Sequence, residues 1–173
     1  AWLKEARQLC EKIGLKPKVI SSGGTPSMYQ AELYDEATEY RVGTYIYNDK
    51  SLVERGDCEY KDCAMTVLAT VVSCPTQDRV VIDAGSKALT SDLLGMQGHG
   101  WIREYPQAKI YALSEEHGCI DFSDCELRPS IGDKLNIVPN HVCVVSNLFD
   151  YVYFLQSNDR FKKVDVAARG KVW

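Results

Sequence analysis

Apolar residues Leu3, Ala6, Leu9, Cys10 and Ile13 fall on one stripe at helical spacing, with charged residues between them and Gly14 as a stop. Residues 3–13 are therefore predicted to form an amphipathic helix. Residues 16–21 have the composition of a short strand. They run into Ser22-Gly23-Gly24-Thr25-Pro26, where Thr25 can cap and Pro26 can open a helical turn. Helix, strand, glycine turn and helix start make a piece of α/β architecture. Beyond it the pattern changes, and residues 39–47, 65–73, 79–83, 109–114, 134–138, 141–145 and 151–155 are predicted strands. Turn signals stand between them at Asn48-Asp49, Pro75, Gly85, Gly118, Gly132-Asp133 and Asn158-Asp159. Six or more strands imply a closed or nearly closed β structure.

The chain thus divides into an α/β piece, residues 1–33, and a mainly β domain, residues 34–173. The first piece is too short to fold alone, and a (β/α)₈ barrel needs about 250 residues. Residues 93–101 carry three glycines without a period and read as a loop that is mobile or covers a site.

Composition narrows the function classes. The 173 residues are 45% hydrophobic and 25% charged, those of a globular chain and not of a disordered one. A formal net charge of −4 offers no basic field for nucleic acid. No apolar run reaches the roughly 18 residues of a membrane span, and the first residues lack the apolar centre of a signal peptide, so a cytoplasmic protein is expected. Seven cysteines without a Cys-x-x-Cys pair fit neither a disulfide framework nor a zinc ribbon.

Four segments could carry chemistry. In 21–26 the glycines let the backbone approach an anion, and turn N–H groups with Ser and Thr hydroxyls can cradle a phosphate; the same residues also read as a tight βα turn with a threonine cap. Pro139-Asn140-His141-Val142-Cys143 opens an apolar run. In a strand, His141 and Cys143 would share a face and could grip one metal ion, leaving open positions suited to Lewis-acid chemistry. An isolated His-x-Cys is more often a core thiol beside a strand-edge histidine. In Ser114-Glu115-Glu116-His117-Gly118, Glu115 or His117 could assist a site or lie in a solvated turn. Lys87, in a polar loop after a strand, reads as a solvated cation and not as a nucleophile.

Five segments together resemble one family: Ser21-Ser22-Gly23-Gly24-Thr25-Pro26, the run from Arg41 to Asp49, the run from Asp83 to Leu89, the run from Leu113 to Gly118, and Pro139-Asn140-His141-Val142-Cys143. Their order and spacing are similar to the C-terminal half of eukaryotic-type D-serine dehydratases, within the alanine-racemase-like fold type III pyridoxal-phosphate enzymes. The resemblance implies a β-barrel-like C-terminal domain preceded by the last helix and strand of a (β/α)₈ barrel, in a homodimer. It implies that Ser22, Gly23, Gly24 and Thr25 bind the phosphate of pyridoxal 5'-phosphate and that His141 and Cys143 bind a metal. D-threonine aldolases are similar in fold but place an aspartate where Cys143 stands, and cysteine as the softer ligand favours zinc. The Schiff-base lysine belongs to the first barrel strand, which is not in this sequence, so the chain is expected to be inactive alone.

The implied reaction converts D-serine to pyruvate and ammonia, with zinc on His141 and Cys143 stabilising the departing hydroxyl. Two alternatives stay open. One is aldol cleavage of D-threonine or another β-hydroxy-D-amino acid; the other is a non-catalytic β module that binds a partner or dimerises.

Overall fold

A computed structural model describes residues 2–157 and 160–171. The chain forms two compact units, Ala1–Ile46 and Tyr47–Trp173. The Asn158-Asp159 turn lies outside the described residues.

In the first unit, α1 spans Trp2–Lys12, as its stripe predicts, but none of its residues is buried. On its apolar stripe Leu3 and Cys10 are half-buried, whereas Leu9 and the following Ile13 are 63% and 74% exposed, as is Val19 at 59%. Strand β1 is only Ser21–Ser22 and pairs in parallel with β2, Glu39–Tyr40. Residues 16–20, expected as strand, precede β1 outside any strand, and the expected strand 39–47 is corrected to β2 followed by a 3₁₀ turn at Thr44–Ile46. The predicted helix start is a 3₁₀ helix, Thr25–Leu33, with proline in its first turn.

The second unit begins with α2, Lys50–Arg55, and continues through β3, Val67–Ser73, and β4, Arg79–Ile82. Next come α3, Ser86–Leu89, β5, Trp101–Ile102, β6, Lys109–Leu113, and β7, Gly118–Asp121. It closes with β8, Lys134–Val138, α4, Val142–Leu148, and the hairpin of β9, Tyr151–Leu155, and β10, Phe161–Asp165. Strands β3 to β8 form one antiparallel sheet in the order β5-β8-β3-β4-β7-β6. The sheet curls until its two edges approach: the His99 N–H, just before β5, donates to the Ile110 carbonyl of β6 at 3.0 Å. This nearly closed, mainly β domain agrees with the expected fold class.

The alternation of β3 and β8 shows what holds the barrel. Val67, Ala69 and Val71 point inward from β3 and Leu135 and Ile137 from β8, meeting Ile82, Ile102, Ile110, Ile120 and Phe122. Ile82, Ile102, Ile120, Phe122 and Ile137 are fully buried, each contributing about 1.5–3 kcal/mol by removal from water. The turn after β4 is pressed against the β6–β7 hairpin: Ser86 N–H donates to the Ser114 carbonyl at 2.8 Å, and a Cβ on Gly85 would collide with the backbone of Ser114 and Glu115.

Candidate functional site

In the first unit, Ser22 ends β1 and the chain turns through Gly23 and Gly24 into the 3₁₀ helix. Gly23 has φ +77°, and any Cβ there would enter the Tyr40 ring, so both backbone conformation and space demand glycine. Thr25, 5% exposed, accepts the Tyr45 N–H through Oγ1 at 3.1 Å, which leaves its own O–H to donate. Ser27 Oγ donates to the Gly24 carbonyl at 3.3 Å, and the Tyr40 hydroxyl to Ser27 Oγ at 3.4 Å. These contacts tie the turn to the segments that follow it; Pro26 carries no N–H, and the Ser27 N–H donates to the Gly24 carbonyl at 3.1 Å.

The second unit holds His141 and Cys143, and here one expectation is corrected. Residues 141–145 are not a strand: His141 is the extended residue preceding α4, φ −139° and ψ 107°, and Cys143 lies in the first turn of that helix. The two share a helix start, not a strand face. The physical cause is Asp49, wholly inaccessible to solvent, which accepts the Val142 N–H at 3.0 Å and so satisfies an amide at the start of α4.

Asp49 was a turn signal in the sequence; in the fold it joins two helices. It caps α2, accepting Leu52 N–H at 3.2 Å and Ser51 Oγ–H at 2.6 Å on Oδ1. Its Oδ2 takes the Val142 amide and lies 3.1 Å from His141 Nδ1. Burial pushes the Asp49 carboxyl up, yet the hydrogen bonds from His141, Ser51, Val142 and Leu52 outweigh it and hold the group below the ordinary carboxylate range. The hydrogen bond to Asp49 raises His141 above the usual histidine value against the opposing effect of burial. His141 keeps 28% of its side chain exposed, and Cys143 is exposed.

Three further residues escaped the sequence reading. Asn140, 1% exposed, donates through Nδ2 to the carbonyls of Asp92, at 3.0 Å, and Gly98, at 2.9 Å, while its Oδ1 has no partner among the described residues. Lys50, also buried, donates from Nζ to the Gln97 carbonyl at 2.7 Å; burial lowers its proton affinity, with Glu54 opposing. The backbone of 139–140 is stitched to the start of α2, because Lys50 N–H donates to Pro139 and Ser51 N–H to Asn140. The glycine-rich loop is therefore fastened at 92, 97 and 98 to the helix starts that carry Asp49 and His141. His99 lies in the same loop, its buried Nδ1 without a partner among the described residues and its proton affinity lowered by burial and by Lys50. Beside the loop a cavity of about 590 Å³ is lined by Ser51, Glu54, Arg55, Leu94 and Met96, among others.

The remaining candidates separate from this constellation. Glu115, Glu116 and His117 form the exposed turn between β6 and β7. Lys87 pairs with Glu116 at 2.7 Å and Glu115 at 3.0 Å, which raises its proton affinity and leaves it a solvated cation. Among the described residues no three or more His, Cys, Asp or Glu side chains gather as a metal cluster.

A family model described as "Putative serine dehydratase domain" matches residues 64–155. The chain belongs to this family. An uncharacterised protein of Mycobacterium tuberculosis is 40% identical over 133 residues, 73% of this chain and 98% of that protein. The D-serine dehydratase of Dictyostelium discoideum is 30% identical over 171 residues, 87% of this chain and 42% of that enzyme. Among solved structures, an alanine-racemase-like protein of Idiomarina loihiensis superposes with a TM-score of 0.82 at 26% identity, covering 94% of this chain and 47% of the other. A D-threonine aldolase of an Arthrobacter species, 30% identical over 166 residues, also matches, as does the D-threo-3-hydroxyaspartate dehydratase of Delftia sp. HT23. The chain spans less than half the length of these named enzymes and nearly all of the mycobacterial protein.

Proposed function

We propose that this chain supplies the metal site and the phosphate-binding turn of a pyridoxal-phosphate-dependent lyase acting on D-serine, forming pyruvate and ammonia, with zinc held by His141 and Cys143. The observation that carries the reading is a histidine fastened through Nδ1 to a buried carboxylate, two residues before an exposed thiol at the same helix start. The donor set fits: a borderline imidazole nitrogen and a soft thiolate are both ligands suited to zinc. A metal-free structure of a cysteine-to-alanine variant of the Delftia dehydratase supports a metal in this family. The turn of Ser22, Gly23, Gly24 and Thr25 suits a phosphate, since Gly24 has no heavy atom closer than 3.9 Å to where a Cβ would stand and Thr25 retains a hydroxyl to donate.

Bound pyridoxal phosphate supplies an electron sink for the carbanion at the substrate Cα, and zinc supplies positive charge beside the β-hydroxyl. The chain's own residues do the rest of what falls to it. Asp49 holds the His141 ring and the first amide of α4 in place. Asn140 and Lys50 hold the 92–98 loop against the same helix starts. The turn at 22–25 donates to the phosphate without a basic side chain. The Schiff-base lysine implied by the resemblance lies outside residues 1–173, so we assign proton abstraction from Cα to a group that these residues do not supply. In the overall balance D-serine loses water across Cα and Cβ, and the resulting enamine takes up water to give pyruvate and ammonia.

One observation favours a second reading. The mycobacterial relative is spanned almost end to end, so this region stands there with little else attached. A non-catalytic zinc-binding module would retain metal without turnover. The test is the full-length protein with His141→Ala and Cys143→Ala, offered D-serine and D-threonine. Pyruvate and ammonia from D-serine, abolished in both variants, support the dehydratase. Glycine and an aldehyde from D-threonine indicate aldol cleavage, and zinc without either product indicates the binding module.

A further inference from the structure

The His141 contact with Asp49 settles more than where the ring lies. We infer that Asp49 is a positioning residue that fixes the tautomer of His141, keeping the proton on Nδ1 and presenting a bare Nε2 as the metal-binding nitrogen. The inference rests on the reading of His141 as a zinc ligand and adds which atom binds and what compels it.

The argument follows from counting donors and acceptors. An ionised carboxylate has only lone pairs to offer. Asp49 Oδ1 already receives Ser51 Oγ–H at 2.6 Å and Leu52 N–H at 3.2 Å, and Oδ2 receives Val142 N–H at 3.0 Å. Three donors converge on a group with no exposed surface, so it stays a pure acceptor. At 3.1 Å from Oδ2, His141 Nδ1 must carry hydrogen, because a bare Nδ1 would set two lone pairs against each other inside the protein. Neutral histidine in water favours the opposite tautomer, with hydrogen on Nε2, which cannot ligate through that atom. Asp49 therefore reverses an intrinsic preference. It also ties ring orientation to helix position, since the same oxygen holds the amide of Val142, the residue between the two ligands. A metal-bound histidine whose other nitrogen donates to a carboxylate is held and made more basic by it.

The test uses the uniformly ¹⁵N-labelled, metal-free 173-residue chain at pH 9, where imidazole is neutral. A long-range ¹H–¹⁵N correlation spectrum reports the tautomer of each of its three histidines, and the His141 signals are assigned by their loss in His141→Gln. The expected pattern for His141 is a protonated Nδ1 and a bare Nε2; a protonated Nε2 overturns the inference without any variant of Asp49. Asp49→Asn keeps the shape and removes the charge. It is expected to move His141 toward the Nε2–H form and to weaken zinc binding about 10–100-fold, read by competition against cobalt through the thiolate-to-cobalt absorption of Cys143. If Asp49→Asn lowers only the melting temperature, with tautomer and zinc affinity unchanged, Asp49 is merely structural and the inference fails. Zinc affinity unchanged in His141→Gln overturns the ligand reading itself; zinc lost there but unaltered in Asp49→Asn overturns the positioning role alone.

Discussion

Replacing Asp49 with alanine probes the joint between the two helix starts. The carboxylate accepts four hydrogen bonds at 2.6–3.2 Å, and two of its donors, the amides of Leu52 and Val142, belong to residues only 2% and 1% exposed. The Leu52 amide keeps a second acceptor, the Asp49 backbone carbonyl at 3.2 Å, whereas the Val142 amide loses the acceptor that caps it. A buried N–H left without a partner costs about 1–3 kcal/mol, and the lost side-chain cap on α2 adds about 1 kcal/mol. Relief of the carboxylate's desolvation offsets part of this, so Asp49→Ala is expected to destabilise the metal-free chain by about 2 kcal/mol in urea denaturation. Asp49→Asn keeps an acceptor and should cost about half as much. Asp49 is held below its ordinary value, so its contribution is complete above the usual carboxylate range and lost as pH falls through the folded value. Because Asp49 also raises His141, the gap between wild type and Asp49→Ala should grow as pH falls from 8 toward 5 and His141 takes up its proton, then narrow toward pH 3 as Asp49 is protonated. A loss below about 0.5 kcal/mol, the range of unremarkable surface changes, or a gap still widening below pH 4, would refute the reasoning.

Other consequences can be checked with simple variants. Gly23→Ala places a methyl group in the Tyr40 ring at φ +77° and should cost at least the roughly 1–2 kcal/mol of a left-handed residue; hydrogen exchange at the Arg41 amide, which bonds Ser22, should speed up. Burial pushes the Cys63 thiol up to about 12, so at pH 8 iodoacetamide should label the exposed Cys74 and Cys143 well before Cys63, as read by peptide mass spectrometry. The same shift means that Cys63 favours the folded state fully below about pH 9 and loses that contribution as pH rises toward 12. Lys87→Ala removes an exposed ion pair and should change stability by less than about 1 kcal/mol, with turnover intact.

How much of this was legible in the sequence depended on whether the deciding contact was local. Residues 134–138 were read to the residue as β8, because Leu135 and Ile137 alternate with polar neighbours and that alternation is the burial pattern itself. Residues 141–145 failed for the opposite reason. A Val-Cys-Val-Val run favours strand on its own, and the acceptor that turns it into a helix start is Asp49, 93 residues from Val142. Strand β7 was hidden because Gly118 reads as a turn, whereas it is glycine because a Cβ there would strike the Ala84 carbonyl. In the candidate site, His141 and Cys143 were visible as residue types at a suggestive spacing. Asp49, Asn140 and Lys50 were not, since nothing local distinguishes a buried polar side chain from one in a solvated turn.

The central claim is that His141 and Cys143 hold a metal, and zinc content tests it most directly. The chain, purified without chelator and analysed by mass spectrometry for metals, is expected to carry one zinc per chain, lost in both His141→Ala and Cys143→Ala while backbone spectra remain those of the folded protein. Zinc absent from the wild type, or retained undiminished in either variant, would contradict the account.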